Sequence, residues 1–275
     1  MFEHCFSLGW SCDTACSLGR LGLRSEAGPF DWLLCDFPAV LSQLENGFAD
    51  FMKKEHLQKA AFDSRRFSDR KWEFESGHDI QSSYEDEIDG VIEKYRRRAA
   101  RMLQSSAQPT VFFRCIRDND EVRFINENRD YADRVVKRLN EKNEIVYVLY
   151  AKMGCLTDRV VSFRLPVEQT FGKFLEMRYL FDQSDALSDF CRNLIDAETQ
   201  EKNREYDISA NREKELEAVR IKYVYWEDSE KLNWIERALN DCRSGIYPEE
   251  TDPQILDLLH RLSAENYRSL LQWDR

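Results

Sequence analysis

The stretch TVFFRCIRDNDEVRFINENRDYADRVVKRLNEKNEIVYVLY, residues 110–150, decides the fold. It opens with a run of β-branched and aromatic residues, TVFFRCI, and closes with a second, EIVYVLY. Between them Phe124, Ile125, Ala132, Val135, Val136 and Leu139 recur at helical spacing. Two short apolar strands joined by an amphipathic helix form the pattern of a parallel strand–helix–strand unit, covered on both faces.

The neighbouring segments extend that pattern. YEDEIDGVIEKYRRRAARMLQ, residues 84–104, carries Ile88, Val91, Ile92, Tyr95 and Ala99 on one helical side, and VVSFRL, residues 160–165, reads as a further strand. Residues 2–8 read as a first strand and residues 12–21 as a short helix stopped by Gly22. PAVLSQLENG has proline early and glycine past its end, as helices do. KWEFESGHD, residues 71–79, reads as a strand running into a turn. The expectation is an α/β fold with a mainly parallel sheet, flanking helices and a helical C-terminal extension.

From about residue 166 charged, helix-like segments such as DAETQEKNREYDISANREKELEAVR dominate, and the amphipathic DPQILDLLHRLSAENYRSLLQW should fold back onto the body. Residues 1–165 would then form an α/β domain carrying the site. Residues 166–275 would be a mostly helical second unit or an extension of the same domain.

Composition narrows the function classes. With 275 residues, 42% of them hydrophobic, the chain can bury a sizeable core, while a formal net charge of −11 repels duplex nucleic acid and anionic membranes. The longest clear apolar run, IVYVLYA, is too short to cross a bilayer. The opening MFEHCFSLGW lacks the regions of a signal peptide. Eight cysteines are scattered without a CxxC pair, which points to thiols in a reducing, cytoplasmic setting. No zinc spacing, GxGxxG, P-loop or GxSxG stands in the chain, so neither a metal nor a cofactor is expected.

The chemistry-bearing stretch is FSLGWSCDTACSLGRLG, residues 6–22. A strand, a glycine turn and a helix opening at Ser11-Cys12 would place a thiol at the positive end of a helix, where thiolates and oxyanions are both stabilised. On that ground the Cys12 pKa is expected to fall below the reference of about 8.5. The alternative is a thiol packed beneath the helix. A base is needed, and of the four histidines His78, at the end of a strand in ESGHD, is best placed to reach a cleft; His4, His56 and His260 read as strand, surface and C-terminal helix residues. Asp31, in GPFDW, is an orienting acid for it. Asp79 adjoins His78, but adjacent side chains of extended chain point to opposite faces. Arg114, in the strand TVFFRCI, would share the carboxyl edge of a parallel sheet with Cys12 and suit an anionic substrate. Phe30 and Trp32 are expected to be buried.

Ser7-Leu8-Gly9-Trp10-Ser11-Cys12, Leu21-Gly22-Leu23-Arg24 and Pro29-Phe30-Asp31-Trp32, followed by His78-Asp79 and Phe112-Phe113-Arg114, resemble the motifs of the family named "putative papain-like cysteine peptidases", over about residues 3–150. The resemblance implies a peptidase-type hydrolase with Cys12 as nucleophile and His78 as base, acting on a peptide or small-molecule substrate. An acyl transferase, a non-catalytic binding domain and an enzyme of surface-polysaccharide modification are the other readings.

Overall fold

The computed structural model describes residues 1–10, 12–60, 66–76, 79–80, 83–167, 179–208, 213, 216 and 229–251. Its centre is a four-stranded sheet. The strands are β1 (His4–Ser7), then, after the intervening elements, β6 (Thr110–Cys115), β7 (Glu144–Leu149) and β8 (Val161–Arg164). They lie side by side in that order, and all three pairings are parallel. Helix α4 (Asn119–Lys137) joins β6 to β7, as the strand–helix–strand reading requires. Its start is fixed by Asp118, whose carboxylate accepts from the N–H groups of Asp120 and Glu121.

Alternation along the strands sorts the core into two layers. Phe6, Phe112, Ile145, Tyr147 and Leu149 face one side. They meet α2 (Phe37–Glu45), α3 (Tyr84–Ser105) and α4. Cys5, Val111, Phe113, Cys115, Val146, Val148 and Tyr150 face the other, against Leu18 of α1 (Cys12–Arg20) and Leu187 and Cys191 of α5 (Asp185–Arg192). Two-sided cover explains why β6 and β7 read as near-unbroken apolar runs.

Beside this body lies a smaller antiparallel sheet, in the order β2 (Leu33–Leu34), β5 (Phe74–Ser76), β4 (Phe67–Asp69), β3 (Leu57–Lys59). It frames an aromatic nest. The Phe30 ring lies 5.6 Å from Phe48, 5.9 Å from Phe51 and 6.1 Å from Phe74. Phe30 is fully buried, as expected, whereas Trp32 is only partly covered.

The C-terminal part is helical where described: α5, α6 (Ala197–Asp207), α7 (Ser229–Arg243) and the short α8 (Pro248–Thr251). Ile208, Leu216, Ile235, Leu239 and Tyr247 form a cluster of their own. α6 lies directly on α1. The carbonyl of Gln200 stands 2.1 Å from where a Cβ on Gly22 would be, and Asn203 donates to the Gly22 carbonyl at 2.9 Å. The segment DPQILDLLHRLSAENYRSLLQW lies outside the described residues. Among the described residues no helix is long and apolar enough to cross a membrane.

Candidate functional site

Strand β1 ends at Ser7 and the chain reverses at once. Gly9 (φ +75°) and Trp10 (φ +65°) are both left-handed. The Gly9 N–H donates to Ser7 Oγ at 3.0 Å. Glycine is required there on two counts, its backbone angle and the Cys35 sulfur 2.6 Å from where a Cβ would sit. The same position is 3.1 Å from the Phe30 carbonyl, so the SLGW turn rests on the PFDW segment. Trp10 has no such licence, and a non-glycine residue held left-handed costs about 1–2 kcal/mol.

Cys12 is then the first residue of α1, partly buried, at the carboxyl edge of the parallel sheet. Ser11 lies outside the described residues. The first turn of α1 stands over the ends of two strands. Tyr150, just past β7, donates its hydroxyl to Asp13 Oδ2 at 3.3 Å, and the Thr14 hydroxyl acts on the thiol of Cys115 at the end of β6. Burial pushes the Cys12 thiol well up, and the nearby Cys16 and Asp13 add to the rise; the helix's own backbone pulls only weakly against it. The expected depression is thus reversed, because desolvation outweighs the helix terminus. Tyr150 is driven up in the same way, with Cys115, Asp13 and Cys12 all contributing. Neither Asp13 nor Tyr150 was singled out from the sequence. Tyr150 could have been, as the residue after an apolar strand whose carboxyl end borders the site.

His78 lies outside the described residues. The chain on either side of it is well held. Ser76 pairs with Leu33, two residues from Asp31. Asp79 accepts from Ser76 Oγ, from Lys94 Nζ and, at 2.7 Å, from the Tyr95 hydroxyl. Burial works to raise its carboxyl, but these partners hold it below the usual range. Asp79 is therefore bound to α3.

Asp31 is completely buried. Its Oδ2 accepts from Arg24 Nη1 at 2.7 Å and from the Gly28 N–H at 2.8 Å, while Oδ1 has no hydrogen-bond partner. Burial raises its carboxyl, opposed chiefly by Arg24. Arg98 Nη1 is a second buried atom without a partner, and its charge also acts on Asp31. The other arm of Arg24 approaches Asp207 of α6 at 3.7 Å, and Asp207 Oδ1 stands 2.7 Å from where a Cβ on Gly19 would be. Asp31 thus lies beside the far end of α1, seven residues or about 10 Å along the helix from Cys12.

Arg114 faces the layer opposite Cys12 and is fully buried. Its fork closes on Glu121 through Nε–Oε1 at 2.7 Å and Nη2–Oε2 at 2.8 Å, and it donates to the carbonyls of Leu8 and Cys35 at 2.8 and 3.0 Å. A substrate carboxylate would have to displace Glu121 to reach it. A guanidinium nearer the surface at this edge is that of Arg117, which pairs with Asp36 and Asp118 and lies 5.6 Å from the Trp10 ring.

Among the described residues no group of three or more His, Cys, Asp or Glu side chains could hold a metal ion. No curated protein and no solved structure matches the chain. Residues 3–151, a little over half of it, match a family profile, and the chain belongs to the family described as "Putative papain-like cysteine peptidase".

Proposed function

We propose that the protein is a cysteine-dependent hydrolase or acyl transferase whose nucleophile is Cys12, with His78 as general base and Asp31 orienting it. The observation that carries this reading is the position of Cys12 as the first residue of α1, just after a turn with two left-handed residues at the carboxyl edge of a parallel sheet. Backbone strain of this kind gathers where side chains are aimed for chemistry. The orphan N–H groups of the helix opening would receive an oxyanion. The unpartnered Oδ1 of Asp31 supports its role, since a buried acceptor calls for a donor; Arg98 is the competing one.

The resting nucleophile is a neutral thiol, because burial raises its pKa. The base therefore acts during attack. The S–H proton passes to the imidazole as the S–C bond forms and the carbonyl π pair moves onto oxygen. The imidazolium then returns the proton to the departing amine or alkoxide. Water, deprotonated in the same way, releases the acyl group in a hydrolase; another nucleophile does so in a transferase. Amide or ester bonds of peptides or small molecules are the substrate class, with Arg117 rather than Arg114 as the guanidinium near the surface. The eight cysteines, all thiols, support a reducing compartment.

Incubation with an activated ester, followed by intact-mass measurement, tests this. An acyl adduct should form on Cys12, be absent from Cys12→Ala, and form at least about 100-fold more slowly in His78→Ala. An adduct elsewhere, or one indifferent to His78, makes Cys12 a packing residue of a binding domain.

A further inference from the structure

The Asp13 carboxylate is buried one residue from the Cys12 thiol, in the first turn of α1. It is not a surface acid complementing the helix dipole. The strand beneath reaches up to it, with the Tyr150 hydroxyl donating to Oδ2 across 137 residues of sequence. We propose that Asp13, fixed by Tyr150, is a positioning residue for Cys12: its carboxylate holds the thiol in the protonated form until a base removes the proton. The inference rests on the reading of Cys12 as nucleophile and adds the group that sets its threshold.

The physical basis is short-range repulsion in a poorly solvated place. A thiolate at Cys12 would stand beside a carboxylate already desolvated on the same turn, and like charges in such surroundings disfavour the second ionisation. Among the described residues, the titratable groups that act on Cys12 come from its own helix and from two strand ends. Cys16 lies one turn along α1, Asp13 adjoins, and Tyr150 comes from the end of β7. Cys115, at the end of β6, reaches the same turn through Thr14. Burial lifts the Tyr150 hydroxyl and the Cys115 thiol as well, so among these groups the negative charge that acts on Cys12 is the Asp13 carboxylate. Tyr150 matters because its hydroxyl fixes where that charge lies.

The test is the pH dependence of Cys12 alkylation by iodoacetamide in the intact full-length protein, read by mass spectrometry of the Cys12 peptide from pH 6 to 10.5. Asp13→Asn keeps the shape and removes the charge; its rate–pH curve should move about one unit to lower pH, giving roughly tenfold more label on the rising limb. Tyr150→Phe removes the donor and should move the curve the opposite way by a smaller amount. A merely structural role would alter folding but leave the curve of the folded protein in place. If Asp13→Asn does not fold, the direction of the Tyr150→Phe shift decides alone. Curves superimposable on wild type overturn the proposal while leaving Cys12 a reactive thiol. Cys12 unlabelled at every pH in every folded variant overturns the nucleophile reading, and the proposal falls with it.

Discussion

Arg114 and Glu121 meet fork to fork beneath the sheet edge, at 2.7 and 2.8 Å, and neither side chain reaches solvent. The remaining Arg114 donors hold the carbonyls of Leu8 and Cys35, tying the turn before Cys12 to the end of β2. Glu121→Ala would leave a buried guanidinium without its anion and should lower stability by about 3–5 kcal/mol in urea melts. Arg114→Lys should be nearly as harmful, because an ammonium cannot reproduce the fork. A loss below about 1 kcal/mol for both would show that the pair is not what holds this corner.

Phe30 and Trp32 separate cleanly. Truncating fully buried Phe30, ringed by Phe48, Phe51 and Phe74, should cost about 3–5 kcal/mol. Trp32→Ala should cost clearly less, since part of the indole is already in water. Chemical denaturation of the two variants side by side gives the comparison, and equal losses would contradict the burial difference.

Labelling order gives a third expectation. Cys155 is exposed, with the Arg164 guanidinium 3.7 Å from its sulfur, so a limiting dose of iodoacetamide at pH 7 should modify it before Cys12. The Cys12 rate should then climb through the alkaline range, and His78→Ala should slow it at neutral pH. Rapid labelling of Cys12 at mildly acidic pH would show a preformed thiolate and contradict the raised thiol pKa.

Alkaline stability follows from the same burial. Desolvation raises the thiols of Cys5, Cys12, Cys35 and Cys191, and pushes Cys115 up to about 12. In the unfolded chain they would ionise near 8.5. Between those values the folded state holds protons that the unfolded state has lost. Stability is therefore unaffected below about pH 8 and falls as pH rises, each thiol approaching a slope of about 1.4 kcal/mol per pH unit. Urea midpoints at pH 7.5 and 9.5 should show the loss, and Cys191→Ala should shrink it. A flat profile would mean that the thiols ionise in place.

Much of this architecture is written in local pattern. The strands β6 and β7 and helices α1 to α4 read correctly because two-sided burial leaves unbroken apolar runs and helical burial leaves a 3.6-residue stripe, while the edge strands β1 and β8 read from shorter β-rich stretches. The small sheet reads only in part: KWEFESGHD shows β5, whereas β2 is Leu33–Leu34 and β3 and β4 have three residues each, too few to display alternation. Arg114 looked available for a substrate because its acid is supplied by a helix on the other side of a turn. Cys12 looked like an exposed helix-terminal thiol. The sequence near it gives no sign that Tyr150 closes over the first turn from below, or that α6 covers the same helix farther along.

Gly22 offers the sharpest local prediction. Its φ of +69° and the Gln200 carbonyl, 2.1 Å from where an alanine methyl would sit, leave no room for the larger residue. Gly22→Ala should destabilise the protein by at least about 1 kcal/mol and expose residues 197–208 to proteolysis. Unchanged protease resistance would show that α6 can re-seat.

Gly19 and Gly22 both belong to the family-matched residues, yet what they make room for, Asp207 and Gln200, comes from beyond them. The two glycines are thus the imprint of a helix encoded far downstream. A relative with larger side chains at both places could not seat an α6 in this way. The pair gives a two-letter criterion for sorting the family by architecture.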